Sequence, residues 1–179
     1  NMSGSLLCEY VLSPKAAKNA IPADGEVVKS IVSTNLIDAV AASYSCKLVE
    51  CLTGFKWIGQ QILKEERTGV GHYMFGMEES YGCLIGTYAR DKDAVSASVA
   101  LCEAAAYYKT KGMTLWDAMV AVYEKYGYYK DAVKSIGLKG IEGLAKIQSI
   151  METLRAEAPT EVGGYHVVSA RDYKMDTIK

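Results

Sequence analysis

Residues 27–52 read VVKSIVSTNLIDAVAASYSCKLVECL, and this stretch decides the fold. Val27–Ser33 is short and β-branched, which predicts a strand. Thr34 or Asn35 can cap a helix whose apolar face is Leu36, Ile37, Val40, Ala41 and Tyr44. Lys47–Leu52 reads as a second strand. Strand, helix and strand in so short a span imply a crossover unit with parallel strands.

Working outward, Met2, Leu6, Leu7, Tyr10 and Val11 fall at helical spacing, so residues 3–13 are expected to form a helix, with a loop from Pro14 to Gly25. Downstream, Thr53-Gly54 leads into a helix bearing Phe55, Ile58 and Ile62. Lys64–Gly71 reads as a charged loop, Tyr73–Phe75 as a third strand and Cys83–Tyr88 as a fourth. Asp91 or Asp93 opens a long helix to about Lys111, apolar nearly all round and so expected to be buried on more than one side. Thr114 with Asp117 resembles a capping box, ahead of a helical face of Leu115, Met119, Val122, Tyr123 and Tyr126. Residues 127–137 read as a hinge. Ile141, Leu144, Ile147, Ile150, Met151 and Leu154 stripe another helix, Pro159 stops it, and Gly163–Ser169 reads as a last strand. The expected fold is a three-layer α/β/α domain with a short mixed, mostly parallel sheet, followed by a partial helix–strand unit too small for its own core.

The 179 residues suit one ordinary domain or one domain and part of another, with half the residues apolar and a net charge of −1. That balance points away from a nucleic-acid or anionic-membrane surface. No apolar run approaches the roughly 20 residues that span a bilayer. Residues 1–13 lack the basic start of a signal peptide. Five cysteines with no CxxC pair read as buried free thiols of a reducing, cytoplasmic setting. His72 and His166 are not spaced as metal ligands with any cysteine. The chain does not begin with methionine and reads as a piece of something longer.

In a parallel α/β sheet, ligands collect at the carboxyl ends of the strands. Three predicted strands end in polar or glycine-bearing turns: Ser33-Thr34-Asn35, Thr53-Gly54-Phe55-Lys56 and Gly76-Met77-Glu78-Glu79-Ser80. A fourth polar stretch is Arg90-Asp91-Lys92-Asp93. Carboxylates accept hydrogen bonds from vicinal hydroxyls, a serine can donate or accept beside them, and lysines and a helix N-terminus suit a phosphate. A sugar phosphate would satisfy all of these. Each piece also has a plain alternative. Glu78-Glu79-Ser80 could be a solvated loop, Lys29 an edge-strand charge, Lys56 a solvated helix lysine, and Asp91-Lys92-Asp93 only a helix cap. His72 precedes its strand and reads as structural. A nucleotide-binding reading is weak, because no strand is followed by GxGxxG.

VVKSIVST, LTGFKWIG, FGMEESYGCLIG and ARDKDAV, in that order, resemble the third domain of the α-D-phosphohexomutases, the phosphoglucomutase and phosphomannomutase superfamily. The resemblance covers residues 1–130, and 138–179 resembles the beginning of the fourth domain, with a hinge at 131–137. It implies that the GMEES loop binds sugar, with Glu78 and Ser80 gripping hydroxyls 3 and 4 of a hexose and Glu79 between them. Thr53, Gly54 and Phe55 would line the same pocket. Lys92 would serve proton transfer or contact phosphate, and Lys29 and Lys56 would face the cleft. A histidine carried by some members two residues after the loop serine is Gly82 here, so its role does not transfer. The family's phosphoserine loop, its aspartate-rich Mg²⁺ loop and the phosphate loop of its fourth domain have no counterpart in this sequence. The resemblance therefore implies an excised, inactive fragment. Its parent would interconvert hexose 1- and 6-phosphates through a phosphoserine and a bisphosphorylated hexose, with Mg²⁺ held by another domain. Its partners would be the hexose phosphate and the remaining domains of the same enzyme. The alternative is a stand-alone, non-catalytic α/β module that binds sugar phosphates or a partner.

Overall fold

The computed structural model describes residues 1–80, 82–131, 137–175 and 177–178. The chain divides into two units, Asn1–Asp131 and Ala132–Lys179. Of the hinge expected at 131–137, residues 132–136 lie outside the described residues.

The first unit runs α1 (Met2–Ala17), β1 (Gly25–Ser30), α2 (Leu36–Ser43), β2 (Lys47–Cys51), α3 (Phe55–Thr68), β3 (His72–Glu78), β4 (Gly82–Leu84), α4 (Ala94–Thr110) and α5 (Leu115–Tyr126). The sheet order is β2-β1-β3-β4. β1 pairs in parallel with both β2 and β3, and β4 pairs antiparallel with β3, giving a mixed, mostly parallel sheet. Every residue of β1 is buried, as a central strand covered on both faces requires. Successive side chains point to opposite faces, so Val27 and Val28 enter different cores. Val27, Phe75 and Met77 pack with Leu6, Leu12, Ile37, Val40, Met119 and Val122 from α1, α2 and α5. Val28 packs with Phe55, Ile58 and Ile62 of α3 and with Leu84. The domain is therefore α/β with three layers.

Several local expectations are revised. Helix α1 continues through Pro14 to Ala17. Past the proline the last turn is closed by the Asn19 and Ala20 amides, which donate to the carbonyls of Ala16 at 2.9 Å and Lys15 at 2.8 Å. The charged stretch after Lys64 is helix as far as Thr68, ending at Gly69 in the left-handed region (φ 66°). Its charges are the outer face of α3, while Glu65 turns inward. Helix α4 is covered on one side only: Ala100 and Ala104 are buried, whereas Val95 is 75% and Val99 63% exposed. Its short side chains made it look apolar all round, but the domain meets only one face. β1 is central, so Lys29 is not an edge-strand charge. Cys8, Cys46 and Cys83 are buried, Cys51 is half-buried, and Cys102 is exposed, contrary to the expectation for all five. The Thr114–Asp117 capping box forms in full.

The second unit holds α6 (Gly140–Ala156), a hairpin of β5 (Glu161–Val162) and β6 (Tyr165–His166), and a hairpin of β7 (Arg171–Asp172) and β8 (Thr177–Ile178). The single strand expected at 163–169 is replaced because Gly163 and Gly164 both take positive φ (59° and 82°) and turn the chain back. Arg155 donates to Asp172 at 2.9 Å. Ile141 and Leu144 on α6 stay exposed.

Candidate functional site

Because β1, β2 and β3 are parallel, their carboxyl ends share one edge. Gly54 ends the β2–α3 turn with φ 113°, a conformation an L side chain rarely adopts, and becomes the N-cap of α3. Its N–H donates to Glu78 Oε1 at 2.5 Å. A carboxylate at a helix N-terminus is stabilised both by the orphan amide and by the helix dipole. Glu78 Oε2 lies 3.4 Å from Lys92 Nζ. That ammonium sits 5.6 Å from the centre of the Phe55 ring. Four of the sequence-predicted residues, Gly54, Phe55, Glu78 and Lys92, thus form one contact group. Thr53, adjacent to Gly54, is exposed at the same turn, and Ser80 is exposed two residues beyond Glu78.

The other predicted residues are placed differently. Glu79 turns away from Glu78 and accepts from Ser30 Oγ at 2.9 Å, with Ser30 also 2.9 Å from Ser33 Oγ. Lys56 is exposed with its ammonium 5.2 Å from the centre of the Trp57 ring, beside the group rather than in it. Lys29 is wholly buried. Its Nζ lies 2.5 Å from Asp38 Oδ1, an ion pair without the alignment of a hydrogen bond. It donates to Asn35 Oδ1 at 2.8 Å and sits 3.6 Å from Glu50. The lysine therefore ties the β1–α2 turn to β2 and faces the protein interior rather than a cleft. His72 opens β3 at the opposite end of the sheet, 2.6 Å from Asp24.

A cleft of about 430 Å³ borders the group, lined by Glu78, Glu79 and Gly82 together with Asn1, Gly4 and Ala97. Cys51 is no nucleophile beside it, since burial, then Glu78 and Glu50, push its thiol up to about 11. Burial, then Asp93, also raises Cys83. Asp93 caps α4, accepting from Val95 N at 2.9 Å. Among the described residues no three His, Cys, Asp or Glu side chains converge to hold a metal ion. Ser30 and Gly59 were missed from sequence. The signal available for Ser30 was its spacing from Ser33 across the end of β1.

Architecture and strand-end geometry define a three-layer α/β/α domain that gathers its polar loops on one sheet edge. Residues 1–126 match the family described as phosphoglucomutase/phosphomannomutase, alpha/beta/alpha domain III. The chain belongs to that family. It is 37% identical over 147 residues to a phosphoglucomutase of Staphylococcus aureus (strain N315), covering 82% of this chain and 26% of that protein. It is 34% identical over 177 residues to a phosphoglucomutase of Staphylococcus epidermidis, covering 97% of this chain and 31% of the relative. The chain thus spans about a quarter to a third of these relatives' length. The crystal structure of parafusin (phosphoglucomutase) from Paramecium in its open form shares the fold, with a TM-score of 0.59 at 20% identity over 98% of this chain and 30% of that one. No described helix is long and apolar enough to cross a membrane.

Proposed function

We propose that this chain is the sugar-recognition domain of a phosphohexomutase that interconverts hexose 1- and 6-phosphates in the cytoplasm. The observation that carries this is Glu78, a carboxylate 5% exposed at the common strand edge. It is held by the Gly54 amide on one oxygen and faced by Lys92 on the other. Such a carboxylate keeps lone pairs for vicinal sugar hydroxyls, and its charge is already compensated before ligand arrives. Thr53 and Ser80 offer hydroxyls at the rim, and Lys92 supplies a cation for phosphate or a proton for transfer. Lys29 has no part in the reading.

In the parent enzyme a phosphoserine outside this chain would give its phosphoryl group to the sugar, and the bisphosphorylated hexose would return the other one. Mg²⁺, also held elsewhere, would supply charge stabilisation for that transfer. This domain's share is orientation: a grip on hydroxyls suits a sugar that must bind in two flipped poses. Residues 138–179 would begin the next domain of that parent. The isolated chain is expected to be inactive, and transfer of label between glucose 1-phosphate and glucose 6-phosphate by the purified chain would overturn that expectation. In the full-length enzyme, Glu78→Gln is expected to lower kcat/KM by about 2 kcal/mol, roughly 30-fold, if one charged hydrogen bond is lost. Unchanged steady-state kinetics would remove Glu78 from the site.

A further inference from the structure

Lys92 is a long side chain on an exposed loop, yet it reaches Glu78 and Phe55. A free lysine loses rotamer entropy on being held, so something must restrict it. Arg90, two residues before it, and Asp93, directly after it, are both anchored. On one side, Arg90 is seated on α3. A Cβ built at Gly59 would lie 2.6 Å from the Arg90 carbonyl oxygen, so only glycine lets the loop backbone rest against the helix there. The Arg90 Nη2 lies 2.5 and 2.6 Å from the two carboxylate oxygens of Glu66, also on α3. Its Nη1 donates to the carbonyls of Thr87 and Ala89, closing the loop on itself. On the other side, the Asp93 N–H donates to Cys83 O of β4 at 3.2 Å and the Asp93 carboxylate caps α4. Between these anchors the lysine stem lies across Gly82, where a Cβ would come within 2.5 Å of Lys92 Cδ and 3.0 Å of its Cβ.

We infer that Arg90, docked on Gly59 and Glu66, is the positioning residue that aims Lys92 across Gly82 toward Glu78. Gly82 leaves the channel along which the stem lies. The functional weight of this inference rests on the reading of Glu78 and Lys92 as the sugar edge, but the geometry does not.

The test uses this chain with selectively labelled lysine and phenylalanine and measures the nuclear Overhauser cross-peak between the Lys92 ε-methylene and the Phe55 ring. The Phe55–Ile58 cross-peak within the buried cluster is the control. In Arg90→Met the Lys92–Phe55 peak is expected to fall at least threefold while the control stays unchanged. Gly59→Ala, which lifts the loop by a different route, is expected to do the same. Should Arg90→Met fail to fold, Glu66→Gln decides in its place. An unchanged Lys92–Phe55 peak in the folded variants overturns the inference, and so does a parallel fall of the control, which would signal general loosening. A second arm separates the two readings. If the peak falls but Arg90→Met leaves kcat and KM of the full-length enzyme unchanged, the positioning stands and the role of Lys92 in the sugar edge fails.

Discussion

Glu65→Gln should stabilise this chain at alkaline pH and leave it nearly unchanged at pH 5. Glu65 is buried on the inner side of α3, and its Oε1 has no hydrogen-bond partner among the described residues. The carboxylate of Glu26 stands beside it, with its two oxygens already taken by Lys47 at 2.8 Å and Gln61 at 2.6 Å. Burial opposes the ionisation of Glu26, but the bonds from Lys47 and Gln61 outweigh it and hold that carboxyl below its ordinary range. Glu65 is held less well: burial first, and then Glu26, outweigh the help of the Tyr73 backbone and Gln61 and push its carboxyl from an ordinary 4.5 up to about 7. The folded state therefore binds this proton more tightly than the unfolded chain does. The stability it contributes is fully present below 4.5 and is lost as pH rises through 7. The interval between the two values sets a ceiling of ~3 kcal/mol at pH 8. Screening by Lys47 and by water at the rim reduces this to about 1–2 kcal/mol. Glutamine keeps the shape and cannot ionise. Urea unfolding followed by tryptophan fluorescence should show the variant ahead of the parent by that amount at pH 8 and near parity at pH 5. A difference that does not grow with pH would refute the reasoning.

Lys29→Met leaves Asp38 and Asn35 without their cation at the β1–α2 turn and should cost about 2–3 kcal/mol in urea unfolding; a neutral result would mean that the buried ammonium is dispensable. Thr114→Ala removes the hydroxyl that accepts from the Asp117 N–H, leaving the backbone half of the capping box, and should cost about 1 kcal/mol, read as a lower urea midpoint with an unchanged slope. Cys102 should be the first thiol to react with an aromatic disulfide reagent. Cys8, wholly buried and raised well above the usual thiol range by burial first, should react only on unfolding; equal rates for the two would contradict the packing.

Much of the first unit was legible because its signals are local. Alternation and β-branching mark β1 and β2, Asp93 and Thr114 cap their helices, and the polar turns sit where strands end. The misses have a common cause. Helix α3 was cut short at Lys64 because its charges resemble a loop when the inward turn of Glu65 is unseen. Helix α4 looked buried because its composition is apolar, although only Ala100 and Ala104 are fully buried and the side bearing Val95 and Val99 stays open. The hairpin at 161–166 depends on two adjacent glycines taking positive φ, which an extended reading passes over.

By itself, the sequence established a parallel sheet with acid, hydroxyl and lysine side chains at its strand ends, since periodicity and caps are properties of neighbouring residues. Tertiary structure alone decided which of those side chains meet. It set Lys29 in the centre of the sheet rather than at an edge. It turned Glu79 toward Ser30 and left Glu78 to the α3 amide, and it laid Lys92 across Gly82. Those outcomes follow from strand order and from close approach between distant segments, which no local pattern of side chains encodes.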